Sequence, residues 1–590
     1  MRFNFNNSIF VFKTSQLYAI IYYQGGDSVA TLKSKTLFFT TSPRTPAKMI
    51  PEIKLLAENF TGKAWNKQNQ ISFIEILSGN PNFEGQGSQG NLAFSARDRI
   101  NRAPKALGFV DLNPTIQLTD AGQSLVSEKR IEETLLRQLM KFQLPSPYHK
   151  EPTIADSVFW VKPYLEMLRL IYTLGKISFD EIMIFGMQLT DYRLFDKIVK
   201  SIQEFRTNRT SFLGSYKQYL GETLNSELLH IFETEIQTGN TSTRQSTDAS
   251  LTKFKKTKRS NLRDYTDACF RYLRATGLVS ISHIGRSLSV MPDKVTEVEF
   301  LLNTVDRKPV FVDDEAKYKE YLFNASTPAL YTDNKKHLEE YILRHSSTTK
   351  KQVEDKSIEV LKDLRDDIIQ KNRESIISTQ VKALKSYSLY SEVVDTYNEI
   401  ISDELYDIPL MLEWNTWRAM TMLNGGQITG NFKVDDAGQP MSTAIGNTPD
   451  IVCDYGDFGI TVEVTMQSGQ RQYESEGEPV ARHLAKFKKA IGKEAFCLFI
   501  APKINEASIA HFYALSKTNI SYYGGTSVIL PLELDVFMKM VENSYGARFV
   551  PTPQHIKELF DFSKQAAETA TNEMQWYTSV QDKAMQWLVA

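Results

Sequence analysis

The chain has 590 residues, which at about 150 residues per domain is enough for roughly four domains. It is 42% hydrophobic and 24% charged, a balance typical of globular proteins that excludes a disordered or fibrous chain. The 69 Lys and Arg residues against 70 Asp and Glu give a formal net charge of -1. This near-neutrality excludes a uniformly basic coat protein for nucleic acid, but it leaves room for a local basic patch.

The cysteine content and the most apolar segment indicate the compartment. Three cysteines lie far apart and form no CxxC pair: Cys269, Cys453 and Cys497. This pattern excludes a disulfide framework and a thiolate zinc site, and it fits a reducing cytoplasm. Lys13 and Gln16 interrupt the apolar stretch 8–23, which is too short to span a membrane and makes a poor signal peptide. We therefore expect a cytoplasmic protein with no membrane partner, and the Phe, Tyr and Ile content of 8–23 suits one or two strands or a leader outside the core fold.

Two segments, 95–119 and 261–290, share the pattern of a helix with an Arg-Asp pair, a glycine and two short strands. In each, the helix is predicted to end at a glycine, Gly108 or Gly277, where a left-handed cap favours this residue. A helix followed by a β-hairpin is the last part of a winged helix, whose helix enters a DNA groove. The alternative is a chance likeness between two common units.

Basic side chains accompany both units. They are Arg97, Arg99, Lys255, Lys256, Lys258, Arg259 and Arg263. A basic run is usually a solvated face, but this one lies just ahead of a predicted recognition helix in a near-neutral protein. We therefore predict that these residues contact DNA phosphates.

The second half of the chain changes character twice. Residues 318–400 are polar and charged, with a narrow apolar stripe at helical spacing that predicts a helical connector. From about residue 403 the pattern becomes α/β, with a helix predicted over 479–491. The strand-like runs are 451–453, 460–465, 495–501 and 527–532. Strands separated by helices predict a mixed sheet with helical cover.

One predicted hairpin brings two carboxylates together. Its turn lies at 455–457, and Asp450 and Glu463 are equidistant from the centre of that turn. They should therefore face each other across the hairpin, with Cβ atoms about 5 Å apart and with Thr461 and Thr465 on the face of Glu463. Like charges in this position are destabilising, so the pair predicts a bound divalent cation. The alternative is a surface hairpin whose acids are solvated.

Further acidic residues, Glu474, Glu476 and Glu478, follow this hairpin, and together with Asp450 and Glu463 they predict a Mg²⁺ site. Mg²⁺ keeps several waters and takes only a few carboxylates, usually beside substrate phosphates. Such an ion polarises a phosphoryl oxygen and acidifies a bound water, which are the requirements of phosphodiester hydrolysis.

The Pro-Asp pair at Asp450 and the Glu-Val-Thr triplet from Glu463 resemble a PD-(D/E)xK nuclease core in which Thr465 replaces the usual lysine. The segments GNTPDIVCDYG, VEVTMQSGQRQYESEGEPVARHL and FCLFIAPKIN are similar to the AlwI-type family of type IIS restriction and nicking endonucleases, which includes the BstNBI-like nicking enzymes. Blocks at 41–46, 94–99 and 141–145 agree with that family in the same order. The resemblance extends from about residue 38 to about residue 540.

This resemblance implies a multidomain α+β protein. The implied segments are an extension (1–37), two winged-helix DNA-recognition subdomains (38–155 and 156–310), a helical linker (311–400) and a catalytic α/β PD-(D/E)xK-like nuclease domain (401–590). The implied catalytic residues are Glu413, Asp450, Glu463, Glu476 and His483. Because Thr465 cannot supply the charge of a lysine, we expect Glu476, Gln472 or Arg471 to complete the site.

The expected function is that of a Mg²⁺-dependent, sequence-specific type IIS endonuclease of a restriction–modification system, which cuts double-stranded DNA a few base pairs outside an asymmetric site. One acidic cluster per chain predicts one nicked strand per visit, so a double-strand break would need a second copy or a small companion subunit. One alternative is a DNA-binding partner subunit without cleavage activity. Another is a repair or transposon-end nuclease, which would cut at no fixed distance from a short sequence.

Overall fold

The computed structural model describes residues 30–31, 34–79, 91–150, 159–243, 248–282, 287–423, 426–444 and 446–589. The chain is a mixed α+β protein that forms two compact units. The apolar stretch 8–23 lies outside the described residues. The five-segment division implied by the family resemblance stays a prediction.

Helices make up most of the secondary structure. In chain order they are α1 (Met49–Phe60), α2 (Lys67–Ser78), α3 (Leu92–Ile100), α4 (Ala103–Ala106), α5 (Asp120–Val126), α6 (Ile131–Lys141), α7 (Pro163–Leu174), α8 (Phe179–Ile184), α9 (Phe195–Ser211), α10 (Tyr216–Ile231), α11 (Glu233–Gln237), α12 (Leu251–Arg274), α13 (Val295–Thr304), α14 (Glu315–Phe323), α15 (Lys335–His345), α16 (Lys350–Val353), α17 (Ile358–Lys385), α18 (Tyr390–Ile401), α19 (Ile408–Leu423), α20 (Gln470–Ile491), α21 (Glu506–Lys517), α22 (Leu534–Gly546), α23 (Pro553–Thr569) and α24 (Glu573–Met585).

The strands are short outside one sheet. In chain order they are β1 (Ala30–Thr31), β2 (Val110–Asp111), β3 (Gln117–Leu118), β4 (His149–Lys150), β5 (Lys176–Ser178), β6 (Val279–Ile281), β7 (Ser287–Val290), β8 (Gln427–Gly430), β9 (Lys433–Val434), β10 (Pro440–Ser442), β11 (Ile451–Asp454), β12 (Phe458–Val464), β13 (Glu494–Ala501) and β14 (Ile529–Glu533).

The first unit comprises the described residues within 1–69, 96–273 and 301–329 and is mainly helical. It contains the first predicted hairpin, in which β2 pairs with β3 in antiparallel fashion. Gly108 precedes this hairpin with a φ of 76°, as the predicted left-handed cap requires. The single helix predicted before Gly108 is instead divided into α3 and α4.

Buried polar side chains of α6 hold the end of α14 within the first unit. Lys141 Nζ donates to the carbonyl oxygens of Leu322 at 2.9 Å and Asn324 at 2.7 Å, and Gln138 Nε2 donates to Leu322 at 2.8 Å. Burial lowers the pKa of Lys141 to about 7. Lys141, which begins one of the blocks similar to the AlwI-type family, therefore has a structural position inside the protein.

The second unit comprises the described residues within 70–95, 274–300 and 330–590. Its main sheet has the strand order β14-β13-β12-β11-β8. The pairs β8–β11 and β11–β12 are antiparallel. The pairs β12–β13 and β13–β14 are parallel, and their strands are connected through α20 and α21. This arrangement confirms the predicted mixed sheet. A separate hairpin, β6–β7, forms where the second helix–hairpin pattern predicts it, with its turn outside the described residues.

Helices α15 to α17 of the predicted connector belong to this second unit. Leu361 of α17 is buried against Leu338, Ile342 and Val353, whereas Val360 is exposed. The apolar stripe is therefore as narrow as its spacing predicts, and it packs on neighbouring helices.

Helix α20 begins earlier than the sequence predicts. It starts at Gln470, so Pro479 lies inside the helix and not at its first turn. An interior proline removes one backbone hydrogen bond and costs about 3 kcal/mol. The helix continues because Val480 and Leu484, on one side, are buried against the sheet.

Two expectations from composition concern cysteines and membranes. The three cysteines are free and buried, as expected for a protein without a disulfide framework. Among the helices that the structure describes, none combines the length and the apolar character needed to cross a bilayer.

Candidate functional site

The hairpin β11–β12 places the two predicted carboxylates opposite each other. Ile451 pairs with Val462, and extending this register by one residue brings Asp450 opposite Glu463. Asp450 Oδ2 also accepts the backbone N–H of Val464 at 2.8 Å, which fixes the carboxylate beside the end of β12. The predicted register is confirmed.

Glu463 is buried under α20. Its side chain is 6% exposed, and its Oε1 lies 2.8 Å from His483 Nδ1, which faces it from the helix. His483 is itself buried. This geometry excludes the solvated-hairpin alternative for Glu463, because its carboxylate is held by an imidazole in a place that water barely reaches.

Glu413 lies in the buried helix α19, close to Asp450. Its Oε2 accepts the backbone N–H of Ala444 at 3.0 Å. Burial, together with the negative charge of Asp450, raises the pKa of Glu413 to about 9. Two carboxylates from distant parts of the chain are thus brought near enough to repel each other, although the sequence around Glu413 gave little independent signal for a site.

The pKa of the Cys497 thiol shows the influence of the same carboxylates. Cys497 lies opposite Thr461 in the parallel pairing of β12 with β13. Burial raises its pKa, and the charges of Glu463 and Asp450 raise it further. The charges of Glu463 and Asp450 therefore both influence one thiol in this part of the sheet.

Glu476 lies seven residues before His483 on α20. This interval is two helical turns, so both side chains project from one side of the helix about 10 Å apart along its axis. Glu476 is half-buried. Within the described residues, no group of three or more His, Cys, Asp and Glu side chains lies close enough to hold a metal ion. The structure brings together Glu413 with Asp450 and Glu463 with His483, but it does not add Glu476 to them.

Gln472 has a structural position that differs from the expectation. Its Nε2 donates to the carbonyl oxygens of Gln467 and Lys503, both at 2.8 Å, and its Oε1 accepts the N–H of Asn505 at 2.7 Å. The side chain is fully buried. Gln472 therefore joins the loops that follow β12 and β13 and is not placed to substitute for a lysine, whereas Arg471 is exposed.

The chemistry of the carboxylates fits Mg²⁺. This ion requires oxygen ligands and is usually held by one or two carboxylates together with waters and substrate phosphates. Glu413 and Asp450 supply such oxygens, and their mutual repulsion in a buried place favours a cation between them. Two protein carboxylates are sufficient for this mode of binding.

Comparison with known proteins identifies the family of this chain. The family model of the AlwI restriction endonuclease matches residues 105–540, well over half of the chain. The chain belongs to the AlwI restriction endonuclease family. Membership identifies a restriction-type DNA endonuclease.

Two solved structures are similar to parts of this family member. One is the small subunit (R.BspD6I2) of the heterodimeric restriction endonuclease R.BspD6I, with 28% identity over 33% of this chain and 98% of that chain and a TM-score of 0.29. The other is the BpuJ1 endonuclease binding domain in complex with pyrene- and phenanthrene-modified DNA, with 14% identity over 48% of this chain and 90% of that chain and a TM-score of 0.28. A search of curated proteins found no match.

The predicted phosphate-contacting residues of this endonuclease lie mostly on α12, which is one continuous helix of 24 residues. The basic run is therefore the first half of that helix and does not precede it. Lys256, Arg259 and Arg263 are exposed, and their spacing of three, four and seven residues places them on one face. Lys255 donates to Asn225 Oδ1 at 2.7 Å near this face.

The prediction that Lys258 contacts DNA phosphates is wrong. It is 6% exposed, and its Nζ lies 3.9 Å from the ring centroid of Phe232 and 5.0 Å from that of Phe254. Burial lowers its pKa to about 6. A buried and largely neutral amine does not contact a DNA phosphate, so Lys258 belongs to the core of the first unit.

The arginines of the first helix–hairpin unit are only partly accessible. Arg99 forms an ion pair with Glu52 at 2.5 Å, and Glu52 is buried. Arg97 is half-buried. A contact between Arg99 and a phosphate would compete with this ion pair.

Proposed function

We propose that this AlwI-family protein is a Mg²⁺-dependent type IIS endonuclease that reads an asymmetric site in double-stranded DNA and cuts a phosphodiester bond a few base pairs outside it. The observation that carries this proposal is the set of three carboxylates at one end of the β11–β12 hairpin: Glu413 and Glu463, which are buried, and Asp450, which is half-buried. Asp450, directly before β11, and Glu463, in the antiparallel neighbour β12, support a PD-(D/E)xK-like core.

Each residue has a proposed role in this site. Mg²⁺ bound here would polarise the scissile phosphate and acidify a water. Asp450 and Glu413 provide the oxygens that hold the ion, and Glu463 provides a third carboxylate opposite Asp450. His483 is a positioning residue, because its Nδ1 at 2.8 Å fixes the carboxylate of Glu463. Glu476, on the side of α20 that carries His483, is proposed to join the ligand shell when DNA binds.

DNA binding is proposed for the two helix–hairpin units as winged-helix elements. The exposed face of α12, with Lys256, Arg259 and Arg263, supplies charges for phosphate contacts, and Lys255 and Arg97 lie within or beside these units. One carboxylate cluster per chain supports nicking of a single strand. A break in both strands would then require a second copy of this chain or a small companion subunit.

The test is plasmid cleavage by purified wild-type protein and by Asp450→Asn. Removing a metal-binding oxygen costs several kcal/mol of transition-state stabilisation, so we expect the cleavage rate of Asp450→Asn to fall by about 10³-fold or more. The matched control is Glu474→Gln, an exposed acid on α20 that should cleave like wild type. Run-off sequencing of both strands then gives the recognition site, the cut offset and the number of strands cut.

Three results would contradict the proposal. Equal cleavage by wild type and Asp450→Asn would show that the carboxylate site takes no part in cleavage. Specific DNA binding by the wild type without nicking in Mg²⁺ or Mn²⁺ would identify a partner subunit that binds DNA but does not cut. Cleavage at no fixed distance from a short sequence would indicate a nuclease of another class.

A further inference from the structure

The turn between β9 and β10 carries a buried aspartate with two functions. Asp435 Oδ1 accepts the backbone N–H groups of Ala437 at 3.0 Å and Gln439 at 2.9 Å, which shapes the turn. Its Oδ2 accepts the hydroxyl of Ser280 in β6 at 2.5 Å. Asp435 is 5% exposed. One carboxylate thus shapes its own turn and attaches that turn to the β6–β7 hairpin.

The same turn is held from a second side by α17. Asp436 is paired with Arg373 of α17, and Lys294 Nζ lies 3.8 Å from it. Gly438 has a φ of 72°, and a Cβ there would lie 2.9 Å from Ile376 Cγ2 of the same helix. The turn therefore packs too closely on α17 to move independently of it.

The chain continues from this turn to the carboxylate site. Arg274, at the end of α12, donates from Nη2 to the carbonyl oxygen of Pro440 at the start of β10. Four residues later, the N–H of Ala444 donates to Glu413 Oε2 at 3.0 Å. Both ends of the segment 435–444 are thus anchored, one at the β6–β7 hairpin and the other at Glu413.

We propose that Asp435 is a positioning residue for Glu413, and that the segment 435–444 couples the β6–β7 hairpin to the cleavage site. The inference rests on the proposed function, because it assigns β6–β7 to DNA reading and Glu413 to the reaction. All of these groups belong to the second unit. A displacement of β6 reaches Ala444 through a short segment that is hydrogen-bonded at both ends, so hairpin position and the orientation of the Glu413 carboxylate change together.

The experiment measures amide hydrogen exchange in the metal-free protein and cleavage in Mg²⁺. Asp435→Ala should accelerate exchange in the peptide containing 440–444, and it should lower the single-turnover cleavage rate about 10–100-fold, as expected when an outer residue that orients a ligand is lost. Its DNA dissociation constant should stay at the wild-type value. The control Asp457→Ala, in the exposed β11–β12 turn, should change neither the exchange of the 440–444 peptide nor the cleavage rate.

Two further variants keep the test valid if Asp435→Ala does not fold. Asp435→Asn retains an oxygen for both turn N–H groups and should restore exchange and cleavage most of the way to wild type. Ser280→Ala removes one hydroxyl and should slow cleavage with DNA affinity unchanged.

Three outcomes separate this inference from the proposed function. Wild-type exchange and cleavage in both Asp435→Ala and Ser280→Ala would overturn the coupling and leave the nuclease assignment intact. Weaker DNA binding by Ser280→Ala at an unchanged saturating rate would assign the hydroxyl to DNA contact and also overturn it. Absence of Mg²⁺-dependent cleavage in the wild type would instead overturn the proposed function.

Discussion

The basic face of α12 and the carboxylate site place their charges in opposite environments. Lys256, Arg259 and Arg263 are exposed to solvent, whereas Glu413 and Glu463 are buried, each with a specific hydrogen-bond partner. Exposed charges interact weakly and through a screening medium, while buried charges interact strongly and only in defined geometry. The comparison teaches that DNA affinity should be graded and salt-dependent, while cleavage should depend sharply on single groups.

Of the variants that compare these two regions, Glu413→Gln should have the largest effect. Cleavage should fall about 10²–10³-fold, because the variant lacks a charged oxygen for the ion. In the metal-free wild type, the pKa of Glu413 is about 9 when folded and about 4.3 when unfolded. Between these values the folded state holds a proton that the unfolded state has released, so the free energy of unfolding decreases as pH rises, by at most about 1.4 kcal/mol per pH unit.

The variant cannot titrate at this position, so Glu413→Gln should lose that slope and gain stability relative to wild type between pH 5 and pH 8. Denaturant unfolding across this range measures the effect, with Glu474→Gln as the control. Mg²⁺ should raise the midpoint of thermal unfolding of the wild type and not of Glu413→Gln. Parallel stability profiles of the two proteins would contradict the buried position of this carboxylate.

An intermediate effect is expected from replacing Lys256, Arg259 and Arg263 by alanine together. The slope of log affinity against log salt should become shallower by about 0.9 for each phosphate contact that is lost. The cleavage rate at saturating protein should stay at the wild-type value, because these side chains lie outside the carboxylate site. Fluorescence anisotropy at several salt concentrations measures the slope.

The control for this triple variant removes three exposed basic residues from the second unit: Arg344, Lys350 and Lys351. It changes the net charge equally, so a general loss of positive charge would lower affinity in both proteins. An equal change in the salt-dependence slope of the two triple variants would contradict a specific role of α12 in DNA binding.

The smallest effect is expected from Lys258→Met. The pKa of Lys258 is about 6 in the folded protein and about 10.4 when unfolded, so the unfolded state binds the additional proton between these values. The free energy of unfolding of the wild type should therefore rise with pH over this interval. Methionine removes this dependence and should stabilise the protein at pH 7 by about 1–2 kcal/mol, measured by denaturant unfolding, with Lys256→Met as the control. If Lys258→Met lost stability or bound DNA more weakly, Lys258 would again count among the residues predicted to contact DNA phosphates.

Local patterns predicted the parts of the fold that depend on neighbouring residues. The β11–β12 register followed from the position of one turn, and it brought Asp450 opposite Glu463 as expected. The strands β13 and β14 were predicted within one or two residues from continuous apolar runs. In these cases side-chain alternation and turn chemistry decide the structure over a short distance.

Other features depend on packing between distant segments, and the sequence alone did not reveal them. The proximity of Glu413 to Asp450 results from how α19 packs on the sheet. Burial of Lys258 results from the ring of Phe232, between α10 and α11, and from that of Phe254 in its own helix. The early start of α20 overrides the usual preference of Pro479 for a first turn. Asp435 carried no signal, because an aspartate in a turn is common and its partner Ser280 lies 155 positions away.

The close approach of Gly438 to Ile376 has a consequence for building chimeric enzymes from this protein. A fusion joint placed near residue 400 would give α17 and the β9–β10 turn different parents, and it would separate Arg373 from Asp436. Even one added methyl group at residue 438 would then collide with a foreign helix surface. In a chimera, α17 and the main sheet should therefore come from the same parent protein. The catalytic part then keeps the helix that packs against its β9–β10 turn.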